Sequence, residues 1–379
     1  MNTSSDVRVA LLGPSSERNK GGIAQFTSRL ADEFGRSCDL RFFSWSQMYP
    51  SFLVSRDFRD TVSETSTSSS SAEFILSFMN PLSWWRFVRA LKRFAPDLII
   101  FTWSHPVHAP VYLVLQTLLG AKHRVRLVCH NVLPHERFRG AETLTRWCFE
   151  RSEGLIVHGA SEESSVQTLF GAGIDVQRLF LPLHDFFGDR LPKSTSGRDL
   201  LFFGNIRAYK GLDILLHAMV TVRQTYPDVR LKIAGEMFYP DDVHKDDDQA
   251  NPFPLVERLG LEDVVTLDIR YIPNEEVPGL MASADACVFP FRSATQSGAV
   301  TVAYSYGVPV VTTRVGGIPD VVVEGQSGLL AQPEDAADLA RALIQVLREP
   351  ISPSAVDAFA ARLSWSQYVS SVLAHEGGN

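Results

Sequence analysis

The stretch FPFRSATQSGAVTVAYSYGVPVVTTRVGGIPDVVVEGQSGLL, Phe289 to Leu330, decides the fold. It reads as strand, loop, short helix, strand, Gly-Gly loop and second helix. The short helix has a start at Ser297-Gly298, where a serine hydroxyl caps the first free N–H groups. It has a stop at Gly307, followed by Pro309. Ala299, Val300, Val302, Ala303 and Tyr306 recur at helical spacing. Val308 to Thr313 reads as a buried parallel strand with proline near its start. A helix that opens with small residues straight after a strand presents unpaired N–H groups and a positive dipole end, which suits a phosphate. The same residues also make an ordinary βαβ turn that binds nothing.

Upstream of this stretch the pattern repeats. Asp199 to Phe203 is a strand, Gly204-Asn205-Ile206-Arg207-Ala208-Tyr209-Lys210-Gly211 a loop, and a helix runs through Leu215 and Met219. Val229 to Ala234 is a strand ending at Gly235-Glu236. Val264 to Leu267 is the next strand, Asn274 to Ala284 a helix, and Ala286 to Phe289 the strand that enters the opening stretch. The acidic run YPDDVHKDDDQANP (239–252) is either a carboxylate metal cluster or a solvated loop, and charge runs in Pro-containing loops are ordinarily solvated. Downstream, a helix covers Ala336 to Leu347, and Pro350 and Pro353 break the pattern. A last helix starts at Ser364-Trp365-Ser366-Gln367, an S-x-x-Q capping box. Its apolar stripe of Trp365, Tyr368, Val369 and Val372 must be buried somewhere.

The first half has the same alternation. Val7 to Leu12 is a strand, followed by a polar loop and Gly21-Gly22, then a helix with Ile23, Phe26, Leu30 and Phe34 along it. The G-x-G-x-x-G spacing of a dinucleotide site is missing, but glycines here let backbone approach a ligand closely. Residues 61–72 are a low-complexity polar tract, read as a mobile surface loop. Residues 81–94, PLSWWRFVRALKRF, form a helix that reads first as a core helix with a solvated basic face and also suits an anionic membrane surface. Leu98 to Thr102 and Val125 to Cys129 are strands, the latter running into His130-Asn131-Val132-Leu133-Pro134-His135-Glu136. Loops at the carboxyl ends of strands carry the chemistry in such sheets. Gly154 to His158 is a further strand, with a helix from near Ser161. The polar segment 193–199, KSTSGRD, is the best domain boundary. Each half is therefore expected to be a doubly wound α/β sheet.

Composition fits this. The 379 residues are 45% hydrophobic and 21% charged, with a formal net charge of −7, a length that suggests two domains. Mild acidity argues against a dedicated nucleic-acid binder. Cys38, Cys129, Cys148 and Cys287 lack metal-ligand spacing, so reduced thiols are expected. The N-terminal residues lack a signal-peptide layout. The most apolar stretch, Leu98 to Leu119, is interrupted by His105, Pro106, His108 and Pro110, so no membrane span is expected and a cytoplasmic location is.

Taken together, these residues resemble a retaining glycosyltransferase of family 4 (glycosyltransferase group 1), and the likeness covers nearly the whole chain. Gly21-Gly22 matches the family's first glycine loop, and His130 falls where the family places an active-site histidine. FFGNIRAYKG (202–211) matches the opening of its second domain. GVPVVTTRVGGIPDVVVEGQSGLL (307–330) matches its closing segment, with Asp320 where glutamate is usual. The wording NPLSWWRF…PDL…HNVLPHE resembles a bacterial branch that builds surface polysaccharides and glycolipids.

The resemblance implies the GT-B fold: two Rossmann-like domains facing a central cleft, residues 1–190 on the acceptor side and 197–360 on the nucleotide-sugar side. The last helix, 364–379, would cross back to the first domain. It implies His130, Arg207 and Lys210 as catalytic residues. Gly21, Gly22, Gly204, Asn205, Gly235, Glu236, Thr295, Gln296, Ser297, Gly298 and Asp320 would bind the donor. The donor would be a UDP- or GDP-linked sugar, with no permanently bound cofactor and no metal required. The acceptor would be a glycan, glycolipid or lipid-linked hydroxyl, with membrane contact through 81–94 at the inner face and no nucleic-acid partner. One departure matters: aligned on Gly307, Ala294 and Val302 occupy the positions of the family's Glu-x7-Glu pair. Val302 cannot accept a hydrogen bond, so ribose recognition would come from elsewhere or be weaker. A sugar-nucleotide 2-epimerase and a non-catalytic scaffold of the same fold are the alternatives.

Overall fold

The computed structural model describes residues 7–19, 21–49, 69–120, 123, 125–132, 140–171, 173–237 and 251–376. Residues 61–68 of the polar tract, Leu133 to Glu136, and most of the acidic run (239–250) lie outside them. The chain divides into two compact units. One holds the residues up to Phe180 together with those from Trp365 onward; the other is Leu181–Ser364.

The first unit alternates strands and helices: β1 (Arg8–Leu12), α1 (Gly22–Ser37), β2 (Asp39–Gln47), β3 (Glu73–Ser77), α2 (Pro81–Phe94) and β4 (Leu98–Trp103). It continues with α3 (Ala109–Leu119), β5 (Val125–Cys129), α4 (Ala141–Glu150), β6 (Gly154–Val157), α5 (Ala160–Phe170) and β7 (Val176–Arg178). Its seven strands pair in parallel in the order β3-β2-β1-β4-β5-β6-β7. The central strands are largely apolar because helices cover both faces of such a sheet; β4 and β5 are buried along their whole length, Thr102 and Arg126 included. In α1, Phe26, Leu30 and Phe34 recur every fourth residue and face the core. Helix α2 starts at Pro81, whose missing N–H costs nothing there, with the Asn80 side chain accepting from Leu82 N–H. It ends at Ala95 in the left-handed region, just before Pro96.

The second unit repeats the design: β8 (Asp199–Phe203), α6 (Leu212–Thr225), β9 (Arg230–Ala234), α7 (Pro252–Arg258), β10 (Val265–Asp268) and α8 (Val277–Ala282). Then come β11 (Ala286–Phe289), α9 (Gly298–Ser305), β12 (Val310–Thr313), β13 (Gly328–Ala331), α10 (Ala336–Arg348) and α11 (Pro353–Ala360). Six parallel strands run β10-β9-β8-β11-β12-β13. The final helix, α12 (Trp365–Glu376), belongs to the first unit. Its Trp365, Tyr368, Val369 and Val372 are buried, so the apolar stripe seen in the sequence is packed on the first sheet's layers, as the GT-B resemblance implies.

Three expectations need correction. The boundary lies near Leu181, not between 190 and 197. Residues 181–198 pack on the second unit: Lys193 Nζ donates to Ala284 O at 2.5 Å, Ser194 N–H to Ala282 O at 2.9 Å, and Tyr306 OH to Gly188 O at 2.9 Å. The segment after Gly316-Gly317 is a 3-10 turn (Ile318–Val321), not a helix, because Gly325 and β13 follow too soon for further turns. Finally, Pro353 begins α11, with Ser352 as its cap, where the sequence pattern suggested only a break.

Candidate active site

The strand order reverses between β8 and β11 in the second unit. Neighbouring crossovers leave such a point to opposite faces, and the carboxyl ends of its strands open a crevice for ligands. The sequence places its glycines there. Gly204 follows β8 with φ of 109°. Lys210 Nζ lies 3.0 Å from where a Cβ on Gly204 would stand, so any side chain at 204 would displace the ammonium. Gly235 follows β9, and a Cβ on it would run into the Gly204 carbonyl. Gly204 N–H donates to Ala234 O at 3.0 Å and Ile206 N–H to Glu236 O at 2.8 Å. The two loops thus run side by side, with the Asn205, Arg207 and Glu236 side chains exposed.

Lys210 ends a 3-10 turn, Ala208–Lys210, and is 9% exposed. Burial pushes its ammonium down to about 8, and the charge of Arg207 pushes the same way. Among the described residues no carboxylate pairs with it. A buried cation without an anion is costly, so this one is poised to gain from an anionic ligand.

Arg292, just beyond β11, fixes the Lys210 turn. Its N–H donates to Tyr209 O at 2.8 Å and its Nη1 to Ala208 O at 2.7 Å. The guanidinium also forks onto Asp213 at 2.8 and 2.6 Å and reaches Glu334 at 2.7 Å. The turn bearing Lys210 and the loop leading to α9 are therefore clamped together. Sequence reading passed over both Arg292 and Asp213, since nothing in their spacing marks a clamp.

At the start of α9 the Ser297 side chain accepts from Val300 N–H at 3.4 Å, a weak cap. Gly317 N–H donates to Thr295 O at 3.0 Å. Gly316 has φ of 49°, and a Cβ there would run into the Ala294 carbonyl oxygen. The Gly-Gly pair thus props the half-buried Thr295-Gln296-Ser297 loop from below. Asp320 is exposed in the following turn, its N–H on Gly317 O at 3.2 Å. Val302 is buried on α9.

Gly21, Gly22 and His130 lie in the first unit. Gly21 has φ of 111° and precedes α1, which sets Phe26 edge-on against His130 with centroids 4.5 Å apart. His130 follows β5, and its N–H donates to Trp103 O at 2.9 Å. Behind it, His158 is buried with its ring 5.6 Å from His130. His158 Nε2 is 3.0 Å from Tyr368 OH. The His158 N–H donates to Glu162 Oε2 at 3.0 Å, and burial lifts that carboxyl to about 7 against the pull of this bond. Among the described residues no group of three or more His, Cys, Asp or Glu is placed to hold a metal ion.

Residues 197–349 match the family described as Glycosyl transferases group 1. The likeness to that family is thus carried by the second unit. Glycogen synthase of Mycobacterium tuberculosis is 30% identical over 216 residues, 56% of this chain and 50% of that protein. D-inositol 3-phosphate glycosyltransferase 2 of Catenulispora acidiphila is 29% identical over 287 residues, 68% of this chain and 62% of that protein. The chain matches only 34% to 62% of the length of such curated relatives.

Among solved structures, sucrose-phosphate synthase of Thermosynechococcus elongatus superposes with a TM-score of 0.67 at 17% identity, covering 98% of each chain. HepE of Anabaena in complex with UDP-glucose superposes with a TM-score of 0.68 at 16% identity, covering 97% of this chain and 99% of that one. The fold is accordingly GT-B, with two parallel-sheet Rossmann-like domains. The matched residues 197–349 contain the Gly204–Lys210 loop, Gly235-Glu236, the α9 loop and Asp320; Gly21, Gly22 and His130 stand outside them.

Proposed function

We propose that this protein is a retaining glycosyltransferase moving a sugar from a UDP- or GDP-linked donor to a hydroxyl of a glycan, glycolipid or lipid-linked acceptor. The observation that carries this reading is Lys210: a buried ammonium without a carboxylate partner among the described residues, at the strand-order reversal of the unit that matches glycosyltransferase group 1. Neighbouring structures were solved with UDP and with UDP-glucose, which supports a nucleotide-sugar donor. In the reaction the bond from the anomeric carbon to the diphosphate breaks as one to the acceptor oxygen forms. Negative charge builds on the leaving diphosphate. Lys210, Arg207 and the N–H groups opening α9 oppose that charge. These protein cations do the work a metal ion would otherwise do. The acceptor proton passes to a leaving phosphate oxygen, so no strong enzymatic base is needed. His130 orients sugar hydroxyls, a neutral imidazole offering one donor and one acceptor. Asn205, Glu236, Thr295, Gln296 and Asp320 line the donor's path around this cradle.

The surface of α2 supports a membrane-borne acceptor. It carries Arg86, Arg89, Lys92 and Arg93 and no acidic residue, in a chain of net charge −7. Met79, Leu82 and Trp85 are 57%, 67% and 54% exposed beside them. A basic helix with exposed aromatic and aliphatic side chains matches an anionic bilayer. The protein thus works at the inner face of the membrane, in synthesis of cell-surface polysaccharide or glycoconjugate.

The test is to incubate the protein with UDP- and GDP-sugars and vesicles carrying extracted lipid-linked acceptors, following the anomeric proton by NMR. The expected result is a transferred sugar with the donor's anomeric configuration. A changed donor without acceptor would mean an epimerase, no reaction a scaffold, and an inverted product a different mechanism.

A further inference from the structure

His184 stands at the opening end of α9, in the segment that packs on the second unit ahead of β8. It is 8% exposed. Its Nδ1 lies 2.7 Å from Thr301 Oγ1 and 3.2 Å from Pro182 O. The Thr301 hydroxyl donates to Gly298 O at 3.0 Å, so its single proton is committed and its oxygen is left to accept. The Pro182 carbonyl can only accept. Both contacts therefore place the proton on Nδ1 and the lone pair on Nε2. Burial keeps the ring neutral at pH 7, pushing it down to about 4.

Nε2 has no hydrogen-bond partner among the described residues. It lies 3.1 Å from where a Cβ on Gly298 would stand. Glycine at 298 leaves that nitrogen facing the space a side chain would fill, beside Ser297 and the first N–H groups of α9. The N–H groups there favour an anion, whereas a bare lone pair repels a phosphate oxygen. The group over Nε2 must bring its own proton.

We propose that His184 Nε2 binds the donor by accepting a hydrogen bond from a hydroxyl of the nucleotide sugar held at α9. This is the service that Val302 cannot perform. The inference rests on the donor reading above and names a contact within it. Two hydroxyl sources share this chemistry, the ribose and the transferred sugar.

The informative variant is His184→Asn, whose amide N–H₂ takes the place of Nδ1–H toward Pro182 and Thr301 while Nε2 is lost. Dissociation constants are measured by calorimetry for UDP, GDP, their 2′-deoxy and 3′-deoxy counterparts, and UDP- and GDP-sugars. The expected loss is about tenfold, one hydrogen bond's worth. A loss seen with UDP or GDP but absent with a deoxy counterpart assigns the ribose. A loss confined to the sugar nucleotides assigns the transferred sugar. A folded variant that binds every probe as tightly as the parent overturns the proposal while leaving the donor reading intact. If the parent protein binds no probe, the donor reading itself falls and this inference with it. Should the variant fold poorly, the imidazole ¹⁵N resonances of the parent decide. An unprotonated Nε2 that shifts upfield with bound nucleotide supports the proposal, and a protonated Nε2 overturns it.

Discussion

Tyr368 on α12 and His158 after β6 share a hydrogen bond of 3.0 Å across 210 residues of sequence. The final helix thereby reaches the carboxyl end of the first sheet. Phe26 packs against Trp365 at 5.1 Å, against His158 at 5.4 Å and against His130 at 4.5 Å. The last helix and the proposed sugar-orienting histidine are two sides of one aromatic cluster. Tyr368→Phe removes the hydroxyl that meets the buried His158 Nε2, at a cost of about 1–3 kcal/mol. We expect a lower melting temperature, and transfer slowed more than the unfolded fraction explains. Calorimetric melting beside turnover measures both; a variant with unchanged melting and turnover would show the bond to be idle.

The pH dependence of nucleotide binding follows from Lys210. The free protein's ammonium titrates near 8, and a bound diphosphate favours its charged form. The lysine's contribution to diphosphate affinity should therefore be level below pH 7, where only the ligand's own phosphate titrates, and weaken as pH rises past 8, by at most tenfold per unit. Binding at pH 8 should take up a proton, seen as a binding enthalpy that changes with buffer ionisation heat. Lys210→Met should bind weakly and lack both effects. A parent protein whose affinity is flat from pH 7 to 9 would contradict this.

Gly316→Ala tests whether the α9 loop is held as described. The substitution forces a side chain into the left-handed region and toward the Ala294 carbonyl. Backbone strain of that kind costs on the order of 1–3 kcal/mol, and here the displaced backbone is the Thr295-Gln296-Ser297 loop itself. We expect donor affinity to fall at least tenfold, with the loss exceeding that of an alanine at exposed Gly325. Equal affinities for the two variants would detach the Gly-Gly pair from the donor site.

The α2 surface predicts binding to vesicles containing phosphatidylglycerol, weaker with rising salt, and little binding to phosphatidylcholine alone. Leu82→Ser with Trp85→Ser should abolish cosedimentation without lowering stability, because both side chains are exposed and the helix is anchored by Phe87, Val88 and Leu91. Cosedimentation that survives this pair would move the membrane contact elsewhere.

The alternation of strands, glycine loops and helices is legible in the sequence because it rests on local patterns: apolar runs, caps and glycines with positive φ. The burial of α12 was legible too, since a stripe as large as Trp365, Tyr368 and Val372 has to be covered. The boundary was not. Lys193 to Arg198 has the composition of a linker, and only tertiary hydrogen bonds to Ala282, Ala284 and Asp285 make it part of a domain. Arg292 and His184 escaped for the same reason. Their roles depend on Asp213 and Thr301, residues 79 and 117 positions away, and no spacing rule connects such pairs. Phe26 read as plain core, and its contact with His130 depends on how α1 crosses the sheet.

The central claim is that the second unit stabilises a departing diphosphate through Lys210. The most direct measurement is the rate of nucleoside diphosphate release from UDP- and GDP-sugars, in the presence of acceptor, by the parent protein and Lys210→Ala. We predict release from at least one donor by the parent and a loss of roughly 100-fold or more in the variant. Full turnover and unchanged donor affinity in Lys210→Ala would contradict the account.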